Sequence, residues 1–210
     1  MLALLHTSPV HIPVFEALRD QDHPGLELRH LVHEVLLVRA GREGPAAVAP
    51  AVATVLTSAV AEGASAVLCT CSTIGGVAEA CAEGLGVPVL RVDRPMAAAA
   101  AAVDRIVVVA TVRSTLEPTV ALIREEAAGR AVELRTLHVE GAWERFEAGD
   151  RGGYLDAVAA AVDAVLEADV IVLAQASMAD AAARTTTAVP VLSSPRPGLR
   201  AAAGAVASGA

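Results

Sequence analysis

The sequence predicts an α/β fold: two pseudosymmetric Rossmann-like halves, each a roughly four-stranded parallel sheet flanked by helices. Three observations carry this. Short apolar runs alternate with longer Ala-rich stretches, the βαβ pattern of a parallel sheet covered on both faces. The pattern restarts at Arg105. The third strand of each half reads alike, Val67-Leu-Cys-Thr-Cys71-Ser-Thr73 against Val172-Leu-Ala-Gln175-Ala-Ser-Met178.

The elements follow in order. Residues 2–6 are strand one, and His6 to His11 a polar turn. Val14 to Arg19 reads as a short helix and Leu26 to Val32 as strand two. Pro45 to Ala61 is a long helix. Strand three, Ala66 to Thr70, runs into a helix ending at Gly84 or Gly86. Val87 to Val92 is strand four, and Asp93-Arg94-Pro95 opens an Ala-rich helix to Asp104. In the second half, Arg105 to Ala110 is a strand and Leu116 to Ala128 a helix. Ala131 to Val139 is a strand, with helices at 141–150 and 153–167. Asp169 to Leu173 is a strand, followed by a turn and a helix to Arg184. Val189 to Leu192 is the last strand. The expected domains are 1–95, closed by a C-terminal helix over 194–210, and 96–193.

Composition narrows the function. The chain has 210 residues, 54% hydrophobic and only 2% aromatic, so its core is built from Ala, Val and Leu. No apolar run approaches the ~20 residues of a membrane span, and the N-terminus reads as a strand, not a signal peptide. The net charge is −8, and the basic residues are scattered Arg, so no face suits nucleic acid. There is no Lys, which excludes Schiff-base chemistry and the P-loop. Three Cys, an odd number, in an acidic chain argue for a reducing cytosol. Cys69, Cys71 and Cys81 lack zinc-site spacing, and His30-x-x-His33-Glu34 matches neither order of the helical zinc motifs. No G-x-G-x-x-G turn is present, and few aromatics are available to stack a nucleobase or flavin. No cofactor is expected.

The stretch 65–78 carries the chemistry. Strand, tight turn and helix place Cys71 and Ser72 where a helix begins. A thiol there faces the positive end of a helix dipole, an environment that favours thiolate, and the free N–H groups can hold a carboxylate. The competing reading is a small buried cysteine without chemistry. The turns after strands one and three of each half, His6 to Ser8, Cys71 to Thr73, Thr111 to Thr115 and Gln175 to Met178, would line a shared cleft. Their hydroxyls either cap helices or form a cage for a small carboxylate.

On these residues the chain resembles the aspartate/glutamate/hydantoin racemase superfamily. Val67-Leu-Cys-Thr-Cys71-Ser72-Thr73 is similar to the family's Cys-Asn-Thr motif, with Ser in place of Asn. Ala110-Thr111-x-x-Ser114-Thr115 is similar to its threonine-rich turn, and Leu173-Ala-Gln-Ala-Ser-Met178 to its Leu-Gly-Cys-Ala-Gly-Met segment. The resemblance implies cofactor-independent chemistry at the carbon next to a carboxylate, with two cysteines facing each other across it. It also implies a site in the cleft between two domains, and allows a homodimer. The second cysteine is missing. A gapless alignment with the family puts Gln175 there; aligning the two halves puts Ala176 there. Malonate decarboxylases and maleate isomerases are further branches of the superfamily.

The resulting expectation makes Cys71 thiolate the base or nucleophile and the Gln175 amide a donor to developing charge. Thr7, Ser8, Ser72, Thr73, Thr111, Ser114, Thr115, Ala176 and Ser177 hold the substrate. His6 and His11 are the positional candidates for a second acid, ahead of Asp93, which reads better as a helix cap. A catalytically lapsed carboxylate-binding protein is the competing class.

Overall fold

The computed structural model describes residues 1–208. These divide into two compact units, Met1–Asp93 with the segment from Pro195, and Arg94–Ser194.

The first unit is a four-stranded parallel sheet in the order β2-β1-β3-β4. Its strands are β1 Leu2–His6, β2 Leu28–Val32, β3 Ala66–Cys69 and β4 Val89–Arg91. All of β1 and β3 is buried, as unbroken apolar strands between two helical layers must be. One face packs Ala3, Leu5, Val67 and Cys69 against α2 Glu34–Glu43, α3 Ala49–Ala61 and α4 Ser72–Ala80. The other packs Leu2, Leu4 and Leu68 against α1 Ile12–Asp22 and the returning helix over Pro195–Ser208.

The second unit repeats this plan with the order β6-β5-β7-β8. Its strands are β5 Arg105–Ala110, β6 Glu133–His138, β7 Val170–Leu173 and β8 Val191–Ser193. Val108 and Val172 face α5 Arg94–Ala100 and α6 Leu116–Glu126. Val109 and Leu173 face α7 Ala142–Glu147 and α8 Arg151–Asp163. The returning helix, α9, completes the count. Among the described residues no helix is long and apolar enough to cross a membrane.

Several boundaries are shorter than expected, with α4 ending at Ala80 rather than Gly84 or Gly86 and α5 at Ala100 rather than Asp104, and three elements differ in kind or existence. Helix α2 lies where none was expected. Leu36 and Ala40 are buried on it, but Val35 is 60% and Val38 52% exposed, which blurs the apolar period. The long helix expected from Pro45 begins as a 3₁₀ turn, Pro45–Val48, before α3. The stretch after β7 is a 3₁₀ helix, Ala176–Arg184, not an α-helix. Its period of three sets the buried Met178 and Ala181 on one face.

Candidate functional site

Strand β3 ends at Cys69 and α4 begins at Ser72. Cys71 is the residue between turn and helix, extended at φ −109° and ψ 114°, and its side chain makes no capping hydrogen bond. It is half-buried, while Ser72 and Thr73 behind it are buried. Cys71 thus sits at the N-terminal end of α4, the place where a helix favours negative charge. Cys69 is a different kind of cysteine. It is fully buried, its Sγ lies 3.7 Å from the Cys71 carbonyl oxygen, and burial with the neighbouring Cys71 pushes its thiol far up.

The second unit answers an ambiguity in the sequence. Leu2 pairs with Ala66 in one sheet, and Ile106 with Val170 in the other. Counting the same distance on from Ala66 and Val170 reaches Cys71 and Gln175. The backbone agrees, since Gln175 precedes its helix at φ −122° and ψ 140°. Gln175, rather than Ala176, is the counterpart of Cys71.

Gln175 is held hard. Its Oε1 accepts from the Thr111 N–H at 2.7 Å, the Thr111 hydroxyl at 3.0 Å and the Val112 N–H at 3.1 Å. Three donors on one oxygen fix the amide's orientation, so its NH₂ group points away from the Thr111 turn. Around it, the Tyr154 hydroxyl meets Ser177 Oγ at 2.8 Å and Thr111 Oγ1 at 3.4 Å. His138 Nε2 donates to the Thr111 carbonyl at 3.1 Å. Burial pushes the Tyr154 hydroxyl above its ordinary range, against the pull of Ser177 and Thr111. It stays protonated.

His6 is fully buried, and both ring nitrogens are engaged. The Thr70 hydroxyl donates to the Leu5 carbonyl at 3.2 Å, so it accepts from His6 Nδ1–H at 2.8 Å. His6 Nε2 must then accept from His30 Nδ1–H, also at 2.8 Å. Burial, then His30 and His11, lowers the His6 pKa to about 3. Such a ring is neutral at physiological pH and holds no proton for a substrate. It fixes Thr70, the residue before Cys71, and so differs from the second acid expected by position. Asp93, expected as a helix cap, has both oxygens on Arg91.

The remaining candidates divide. Thr7, Thr111 and Thr115 are buried, Ser8 and Ser177 half-buried, Ala176 buried and Ser114 exposed. The hydroxyls of Thr7, Thr73 and Thr115 make no hydrogen bond among the described residues. Those of Thr54, Thr57 and Thr119 instead bond back to carbonyls one turn earlier, the usual place for a helical Thr. The first group is free for a ligand. Sequence reasoning missed Tyr154, His138 and Arg91, because each reaches the turns from a separate element. No group of three His, Cys, Asp or Glu among the described residues is placed to hold a metal.

Comparison with known proteins fits this geometry. The model of the Asp/Glu/Hydantoin racemase family matches residues 12–202. Glutamate racemase from Thermus thermophilus, solved with β-chloro-D-alanine, superimposes with a TM-score of 0.77. It is 19% identical, over 99% of this chain and 80% of that one. Allantoin racemase from Klebsiella pneumoniae gives 0.68 at 19% identity, over 99% and 88%. A liganded arylmalonate decarboxylase carrying one Gly-to-Cys and one Cys-to-Ser substitution gives 0.65 at 20% identity, over 100% and 93%. At such identities the likeness is one of fold. No curated protein matches the sequence. With nearly its whole length matched by the family model, the chain belongs to the Asp/Glu/Hydantoin racemase family.

Proposed function

We propose that the protein is a cofactor-independent, racemase-like isomerase acting at the carbon next to the carboxylate of a small acid. Cys71 serves as thiolate base or nucleophile. The observation that carries this is the free, half-buried thiol before α4, ahead of a turn whose Thr73 hydroxyl has no partner among the described residues. The carboxylate sits on first-turn N–H groups and on hydroxyls drawn from Thr7, Ser8, Ser72 and Thr73. As the α-proton leaves, charge moves onto the carboxylate. Fixed donors lower that barrier, each typically by about 2.7–4 kcal/mol. In the second unit, the Gln175 NH₂ is a donor of this kind, oriented in advance by the three hydrogen bonds on its oxygen.

The same Gln175 supports a second reading. An amide transfers no proton at neutral pH, and its counterpart Cys71 is a free, half-buried thiol. One thiol and one fixed donor suit reactions that need a proton on one face only, such as decarboxylation of a substituted malonate or cis–trans isomerisation of a small dicarboxylate.

Incubation in D₂O with amino acids, 5-substituted hydantoins, substituted malonates and maleate separates these, followed by proton NMR and chiral chromatography. Exchange with inversion supports the racemase. Exchange with retention, loss of CO₂ or a double-bond shift supports the one-thiol reading. Saturable binding without any reaction would leave a carboxylate-binding protein and sink both.

A further inference from the structure

Beneath the Cys71 turn lies a buried ion pair that the chemistry above does not use. Arg91, at the end of β4, is 6% exposed and Asp93 not at all. Arg91 Nε donates to Asp93 Oδ1 at 2.7 Å, and Nη2 to Asp93 Oδ2 at 2.9 Å. The same Nη2 reaches the Ser72 carbonyl at 3.4 Å, in the first turn of α4. From the helix side, Gly75 and Gly76 admit the guanidinium. A Cβ on Gly75 would stand 3.0 Å from Arg91 Cβ and Nε, and one on Gly76 3.4 Å from Nη1. Arg91 is also the register partner of Cys69, whose thiol contacts the Cys71 carbonyl.

Burying two charges is expensive, and well-packed apolar residues often serve stability as well. What an apolar pair cannot do is fix the direction of a carbonyl. We propose that Arg91 and Asp93 are positioning residues for Cys71. Asp93 clamps the guanidinium, the guanidinium clamps Ser72, and the first turn of α4 is thereby held under the thiol. Gly75 and Gly76 are the space this requires. The inference rests on the reading of Cys71 as the reactive thiol, and adds what sets its reactivity.

The test is alkylation of Cys71 by iodoacetamide across pH 5 to 10, read by mass spectrometry in a Cys81→Ser background. Cys69 is fully buried. Three variants are compared: Arg91→Lys, Asp93→Asn and Gly75→Ala. Lys keeps the charge but cannot hold Asp93 with a planar fork and reach Ser72 as well. Gly75→Ala presses on Arg91 at Cβ and Nε while leaving both charges in place. Circular dichroism reports that each is folded. The expected result is that the parent alkylates faster than free cysteine at pH 7. In folded variants its rate at pH 7 falls about tenfold and the pH profile of alkylation departs from the parent's. A folded variant set matching the parent within twofold, with the same midpoint, would overturn the positioning role and leave Cys71 reactive. A parent no more reactive than free cysteine would overturn the reactivity of Cys71, and the positioning role with it. If Arg91→Lys does not fold, Asp93→Asn and Gly75→Ala decide.

Discussion

Replacing Gln175 by Met removes the oxygen on which three donors converge while keeping nearly the same side-chain length. Thr111 is buried, so its N–H loses its partner without gaining water. Val112 is half-buried and solvent can reach it in part. The Thr111 hydroxyl can turn to Tyr154, 3.4 Å away. An unpaired buried donor costs about 1–3 kcal/mol. One full penalty and part of another give about 2–3 kcal/mol in total. For a unit of this size that lowers Tm by roughly 10–20 °C at 4–8 °C per kcal/mol. The single tryptophan, Trp143, lies in the same unit and stacks on Phe146, which touches Tyr154, so its fluorescence reports this unfolding. Gln175→Glu is the partner experiment. A carboxylate accepts the same three hydrogen bonds, and more strongly, so stability at pH 7 should stay near that of the parent. It offers no donor and repels a substrate carboxylate, so binding of any acid found in the D₂O panel should weaken by at least tenfold. If Met costs under about 0.5 kcal/mol, or Glu costs as much as Met, the oxygen is not the anchor described. If Glu leaves binding unchanged, the NH₂ group is not the donor.

Further perturbations address the rest of the network. His6 stays neutral in the fold, with a pKa lowered to about 3, whereas in the unfolded chain it protonates near 6.5. The unfolded state therefore takes up the proton first, and this group's stabilisation is present above pH ~6.5 and lost as pH falls toward 3. The slope is at most about 1.4 kcal/mol per pH unit; urea unfolding of a His6→Gln variant should show a shallower acid loss, and an equal one would contradict the tautomer chain. Tyr154→Phe keeps the packing but leaves Ser177 without its 2.8 Å partner, so about 1 kcal/mol of stability should go, and no loss in denaturant melts would argue against that bond. Arg91→Met strands the buried Asp93 charge, and a loss of about 3–5 kcal/mol is expected; circular dichroism melts showing under 1 kcal/mol would mean the pair is solvated.

The two-sheet fold was legible because residues 2–5, 66–69, 106–110 and 170–173 are apolar buried runs, and because Val67–Thr73 and Val172–Met178 read as copies. Helix α2 was not, since its partly exposed Val residues break the apolar period. At the site, Cys71 could be found from strand, turn and helix alone. Choosing between Gln175 and Ala176 needed strand register, which residue similarity did not fix. The role of His6 depends on His30 in β2 and on Thr70 just after β3, and burial sets its charge. That information is three-dimensional, as it is for Arg91 and Tyr154, whose ordinary neighbours in sequence give no sign of the turns they reach.

The central claim is that Cys71 acts on the carbon beside a carboxylate. Its most direct test is the rate of deuterium entry at that carbon, or of product formation, for the parent and for Cys71→Ser on the same panel. A positioned acid–base group is worth about 10²–10⁴ in rate. The account predicts a fall of at least about a hundredfold in a variant that melts like the parent. Turnover within a few-fold of the parent would place the chemistry on another residue and contradict it.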